Sequence, residues 1–162
     1  PGGGFLMKKL RFVSHVGMQI DEAVPGRSKA SITIEDKHRN GTGVAHGGVL
    51  FTLADTAMGA ALYNSLDPGE ICATIEIKIG YFKPVFDGTL VCDAVVLNKG
   101  KSVASLEAVI HNGDQLVSKA SGTFAIFRAF PLSMSAAHTS IAPVWPSRSA
   151  APAPLAERAR VE

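Results

Sequence analysis

A single carboxylate, Asp55, stands in an otherwise uncharged stretch from 47 to 66, eight positions after Gly47 of the step His46-Gly47-Gly48. Its neighbours are Leu50, Phe51, Leu53, Ala54, Ala57, Met58, Ala60, Ala61 and Leu62. On a core helix such an acid loses its water, and an unpaired carboxylate without water is costly, so it needs a task or a partner. No Lys or Arg lies within two helical turns of Asp55 to pair with it. The glycines ahead of it leave backbone N–H groups free at a helix start, where developing negative charge is held. An acid and an anion-stabilising helix end are together the minimal set for acyl-group chemistry. The plainer reading of Asp55 is a structural buried acid that caps a neighbour.

The elements that must position these groups follow from periodicity. Residues 5–12 read as a short helix. Val16, Met18 and Ile20 alternate with polar partners, turn at Pro25-Gly26, and are answered by Ala30, Ile32 and Ile34, a hairpin. Residues 38–45, rich in glycine and polar side chains, read as a loop. The stretch 47–66 is a helix, apolar nearly all round and so buried on most sides, closed by Asp67-Pro68-Gly69. Four strands follow. Ile75, Ile77, Ile79 and Tyr81 share one face of the first, opposite Thr74 and Glu76. Asp87-Gly88, Lys99-Gly100-Lys101 and Asn112-Gly113 separate the rest. The pattern predicts an α+β layer: a hairpin, one helix, and a four-strand meander in a mostly antiparallel sheet wrapped on that helix.

Composition narrows the function classes. The chain has 162 residues, an apolar fraction of 46% and a formal charge of +2. That is one globular domain with a core, and too little charge for a nucleic-acid partner. Asp55 interrupts the best apolar run, so no membrane span is expected. No apolar stretch follows Lys8, Lys9 and Arg11, so no secretory signal is expected. Cys72 and Cys92 lack metal or redox spacing and read as apolar fillers in a reducing cytoplasm. The five histidines form no metal-ligand spacing, and no phosphate-cradling glycine pattern appears, so neither metal nor cofactor is expected. The division expected is a leader and short helix at 1–11, one domain at 12–130, and a loosely ordered Pro/Ala-rich tail at 131–162 in which Trp145 is the one anchor; five of the nine prolines fall there.

The run Asn40-Gly41-Thr42-Gly43-Val44-Ala45-His46-Gly47-Gly48-Val49-Leu50-Phe51-Thr52-Leu53-Ala54-Asp55 resembles the hotdog-fold thioesterases of the phenylacetate-pathway (PaaI) type. Gly80-Tyr81-Phe82-Lys83-Pro84, Lys99-Gly100-Lys101-Ser102 and Ala120-Ser121-Gly122-Thr123-Phe124 look like the same family, so the likeness spans residues 12–127. The resemblance implies a central helix inside a curved antiparallel sheet. It also implies dimers whose two sheets join, tetramers built from them, and active sites shared between subunits. The implied substrates are acyl-CoA thioesters, hydrolysed without metal or bound cofactor.

Carried over residue by residue, the resemblance makes Asp55 a general base for water or a nucleophile on the thioester carbonyl. Gly47 matches the position whose backbone N–H polarises the thioester oxygen, with Gly48 as its companion. Asn40 falls where a carboxamide contacts the carbonyl or the attacking water, and equally reads as a turn residue beside Gly41. His46 contacts substrate or fixes the loop through backbone hydrogen bonds; a general base is the sharper alternative. Thr74 matches a hydroxyl that holds the water and is expected to face the partner's acid, against an ordinary strand residue. Lys99 and Lys101, and more weakly Lys83, are placed to meet CoA phosphates or simply form a solvated turn. Phe51, Met58 and Leu62 line the acyl pocket or are plain core.

The reading is a cytoplasmic acyl-CoA thioesterase, dimeric or tetrameric, with an aryl or arylacetyl group as first expectation and a medium-chain group as second. Two rivals use the same scaffold. A hydratase or dehydratase needs a His paired with an acid for proton transfer at carbon, and carries another motif before the helix. A non-catalytic acyl-CoA-binding module binds without turnover.

Overall fold

The computed structural model describes residues 11–128. The elements are α1 (Arg11–Val16), β1 (Met18–Val24), β2 (Arg27–Thr33), a 3-10 turn at Asp36–His38, α2 (Gly47–Tyr63), β3 (Glu70–Tyr81), β4 (Thr89–Lys99), β5 (Val103–Asn112) and β6 (Gln115–Arg128). The six strands form one antiparallel sheet in the order β1-β2-β4-β5-β6-β3, and α2 touches every one of them. This is the α+β hotdog arrangement.

Alternation builds the inner face of the sheet. Ala30 and Ile32 on β2, Leu90, Cys92 and Ala94 on β4, and Ala104, Leu106, Ala108 and Ile110 on β5 are all buried. The many alanines leave room for a helix to lie close. α2 answers with Leu50, Leu53, Ala54, Ala57, Met58, Ala61 and Leu62 at helical spacing. Each fully buried Leu or Met there contributes about 1.5–3 kcal/mol. Two polar contacts pin the helix: Ser28 Oγ donates to the Ala57 carbonyl at 2.6 Å, and Gly26 N–H to the Ala61 carbonyl at 3.2 Å.

Four expectations change. The helix ends at Tyr63, and only one side of it is buried; Phe51, Asp55, Thr56, Gly59 and Ala60 form a partly exposed stripe. Apolar composition alone does not say what covers that side. Val16 belongs to α1, which stops at Gly17 in the left-handed region (φ +80°). The last four strands are no simple meander, because β3 pairs with β6 while β4 crosses to β2. The buried residues of β4 meet those of β2 in register, Leu90 on Ile32 and Cys92 on Ala30, so β4 seals the open edge of the hairpin and β3 takes the outer edge. Finally, β3 does not alternate strictly. Its register against β6 shifts between Thr74 and Glu76, a β-bulge at Ile75, which is 59% exposed. The leader, most of the expected N-terminal helix, and the tail with Trp145 lie outside the described residues.

Candidate active site

The loop before α2 is a small hydrogen-bonded hairpin. Asn40 N–H donates to the Val44 carbonyl at 2.8 Å, Arg39 bridges Ala45, and His46 N–H donates to the His38 carbonyl at 2.7 Å. Ala45 N–H reaches the Val85 carbonyl at 2.7 Å, and the Arg39 guanidinium donates to the Gly43 and Phe86 carbonyls, tying the hairpin to the β3–β4 connection. Asn40 Oδ1 accepts from Thr42 N–H (2.9 Å), Thr42 Oγ1 (2.8 Å) and Val44 N–H (3.3 Å). The turn therefore occupies its oxygen, and only the NH2 of the carboxamide is left to donate elsewhere.

His46 is the N-cap of α2, and its Nδ1 accepts the Gly48 N–H at 2.9 Å. This has two consequences. That ring nitrogen, engaged in capping, ties the loop to the helix and cannot at the same time accept a proton from water. Gly48 N–H is taken, whereas Gly47 N–H has no hydrogen-bond partner among the described residues. Tyr81 covers Gly47: its OH donates to the Gly47 carbonyl at 3.0 Å, and a Cβ on Gly47 would stand 3.2 Å from the ring. Desolvation lifts the Tyr81 phenol above its ordinary range, so it stays protonated and donating. Gly47, Leu50, Tyr81, Phe82, Lys83 and Val85 line a groove at this helix end.

The second cluster lies farther along α2. Thr74 Oγ1 donates to Asp55 Oδ1 at 2.7 Å, within one chain. The resemblance places Thr74 against the acid of another subunit; within the described residues it holds the acid of its own chain. The bulge at Ile75 makes this contact. Thr74 stands opposite buried Phe124 and so faces the helix, and Ile77 after the bulge faces inward as well. Cys72, also on that face, is close enough for the Asp55 charge to act on it. Burial first, and then that charge, push its thiol pKa up. Asp55 itself is partly buried rather than enclosed.

The two clusters are apart. Eight positions of α-helix separate Gly47 from Asp55, about 12 Å along the axis. Phe51 lies between them, one turn from Asp55 and 38% exposed, so it borders the acid. Met58, expected as a lining residue, is fully buried and packs where a Cβ on Gly122 would meet it at 3.1 Å; it belongs to the core, as does Leu62. Lys99 and Lys101 are exposed on the β4–β5 turn. Ile126 N–H donates to the Ser102 carbonyl, and Ile126 pairs with Cys72, so that turn belongs with the Thr74 end of the sheet and not with Gly47. Lys83 is the cation that borders the Gly47 groove. Among the described residues, no group of three His, Cys, Asp or Glu side chains gathers to hold a metal, and no helix is long and apolar enough to cross a membrane.

Sequence reading did not single out Tyr81, Cys72 or His38 for the site. The available signals were the step Gly80-Tyr81, ahead of a crossing loop, and a histidine two positions before Asn40. Chemically, one cluster offers a hydrogen-bonded carboxylate and the other an unpaired amide at a positive helix end.

The family model for the thioesterase superfamily matches residues 42–119. The protein PA5202 of Pseudomonas aeruginosa is 36% identical, with a TM-score of 0.70, over 72% of this chain and 94% of that one. A point mutant of the phenylacetic acid degradation protein PaaI from Thermus thermophilus is 26% identical, with a TM-score of 0.65, over 70% of this chain and 96% of that one. Acyl-coenzyme A thioesterase 13 of Pongo abelii is 32% identical over 83 residues, 51% of this chain and 59% of the relative.

Proposed function

The chain belongs to the thioesterase superfamily of thioester hydrolases, and from that premise we propose that it cleaves an aryl- or arylacetyl-CoA to the free acid and CoA at a site completed by two copies of the chain. The observation that carries this reading is the separation along α2. An oxyanion donor works at about 2.7–3.1 Å from the reacting oxygen. A base reaches the attacking water at about 2.6–3.2 Å. Gly47 and Asp55 of one helix, about 12 Å apart, therefore cannot serve one thioester carbonyl. Gly47 of one copy and Asp55 of another can. The exposed stripe of α2 and the outer edge of β3 are surfaces on which a second copy would pack, with β3 strands joined edge to edge.

In this reading Thr74 holds one oxygen of Asp55 and fixes the carboxylate. Asp55 takes a proton from water as the water oxygen bonds to the carbonyl carbon. Negative charge on the carbonyl oxygen is met by Gly47 N–H at the positive end of α2. The C–S bond then breaks, and the proton passes to the CoA sulfur. Attack by Asp55 itself through an anhydride uses the same atoms; single turnover in 18O-water separates the routes, because only the anhydride leaves label in the protein. The aromatic groove of Tyr81 and Phe82, with Phe51 beside the acid, favours an aryl group over a medium chain. Lys83 at the groove mouth is the cation we assign to CoA phosphate. The unpaired thiols Cys72 and Cys92 fit a reducing cytoplasm.

The test is CoA release, followed with an aromatic disulfide, across benzoyl-, phenylacetyl-, hexanoyl- and crotonyl-CoA. Turnover with kcat/KM highest for the aryl members supports the proposal. Tight binding without release would support the binding-module rival, and loss of the crotonyl double bond without release the hydratase. In the hydratase a His must handle the proton, and His46 is engaged in capping.

A further inference from the structure

His38 is 4% exposed, and both ring nitrogens are engaged. Nδ1 accepts the Glu35 N–H at 2.9 Å, so Nδ1 carries no proton. Nε2 must then hold the proton and donate it to the Val16 carbonyl at 2.7 Å. The ring thus joins the end of α1 to the 3-10 turn in a single tautomer. The backbone of the same residue closes the base of the hairpin, because its carbonyl takes the His46 N–H at 2.7 Å. His46 in turn caps Gly48 and leaves the Gly47 N–H open. An unbroken series of hydrogen bonds therefore runs from Val16 through His38 and His46 to the first turn of α2.

We propose that His38 is a positioning residue, whose imidazole, latched to the Val16 carbonyl, sets where the hairpin holds the Gly47 N–H and the Asn40 carboxamide. This rests on the reading of Gly47 as the oxyanion donor. Its physical basis is leverage. The hairpin is short, its rungs are hydrogen bonds, and a displacement at its base is carried to the Gly47 amide, one residue after the His38–His46 rung. A misplacement of about 1 Å at such a group costs on the order of 100-fold in rate.

Three variants separate the latch from mere bulk. His38→Gln places an N–H donor where Nε2 stands and keeps the bond to Val16. His38→Asn places an acceptor where Nδ1 stands and keeps only the bond to Glu35. His38→Leu keeps neither. On phenylacetyl-CoA the expected result is kcat lowered about 10- to 100-fold in the Leu and Asn variants, with KM within about twofold of wild type, and most of kcat recovered in the Gln variant. Ile110→Val, a core change on β5, is the control that lowers thermal stability without moving kcat. The Gly47 amide resonance of 15N-labelled protein should move in the Asn and Leu variants and stay near its wild-type position in the Gln variant. Equal loss in the Gln and Asn variants, or wild-type kcat in either the Asn or the Leu variant, overturns the proposal. If the Leu variant does not fold, the Gln–Asn pair decides alone. If the wild-type protein releases no CoA from any thioester, the Gly47 reading fails. The resonance still tests His38 in that case, and an unmoved Gly47 amide in the Asn variant refutes the latch.

Discussion

The two halves of the proposed site are built on opposite plans. The Gly47 end is local: Thr42 and Val44 satisfy the Asn40 oxygen and Gly48 satisfies His46, all within a few residues, and the hairpin that carries them is braced to its surroundings by hydrogen bonds from Ala45 and Arg39. The Asp55 end is long-range: its defining contact spans 19 positions and exists because a bulge turns Thr74 toward the helix. A local motif sets the direction of one N–H. A tertiary contact sets the direction and environment of a charge. The first fails by displacement and the second by loss of a group, so substitutions at the two ends should behave differently.

The largest effect is expected at the charge. Asp55→Asn removes the proposed base while keeping the shape and should leave the fold intact, since Asp55 is only partly buried and the hydrogen bond from Thr74 can still be accepted by the amide oxygen. Turnover should fall about 10²- to 10⁴-fold, with an unchanged melting temperature as the control for folding. Gly47→Ala comes next. Its Cβ would meet the Tyr81 ring at 3.2 Å, so ring or helix end must shift, and kcat should drop about 10²-fold, as for loss of an oxyanion donor. Thr74→Val removes the hydroxyl that orients Asp55 but leaves the carboxylate, and should cost about tenfold in kcat, with Thr74→Ser restoring most of it. If Thr74→Val matched Asp55→Asn in severity, the hydroxyl would be more than an orienting group. The smallest effect is at the thiols. Burial lifts Cys92 to about 12 and pushes Cys72 up as well. A raised pKa keeps both as thiols at pH 8, so both should react slowly with an aromatic disulfide in native protein and quickly in denaturant.

The same contrast explains what the sequence discloses. The helix with its lone acid, the glycine step, the turns and the period-2 strands are all local signals, and each appears in the fold within a few residues of its expected place. Asn40 has two local readings that the sequence leaves open; the structure shows the turn, through three hydrogen bonds to Oδ1. The bulge at Ile75 has no local signature, and strict alternation puts Thr74 on the wrong face. The partnering of β3 with β6 is set by which buried residues must meet across the sheet, so a meander is the simpler but incorrect expectation. Met58 and Phe51 are both apolar positions of one helix, and only the sheet decides that one is enclosed and the other borders the acid. His38 escapes notice because a buried, doubly bonded histidine looks like any other loop histidine until its two partners are seen.

The measurement that bears most directly on the shared site is complementation between inactive chains. Asp55→Asn and Gly47→Ala chains, each nearly inert alone, are co-expressed with different tags, and the mixed dimers are isolated. If each site takes its acid from one copy and its amide from the other, a mixed dimer has one doubly damaged site and one intact site. It should recover about half of wild-type turnover, or roughly a quarter in an unsorted equal mixture. Mixed dimers no more active than the two parents would contradict the account, since every site would then draw its amide and its acid from the same chain.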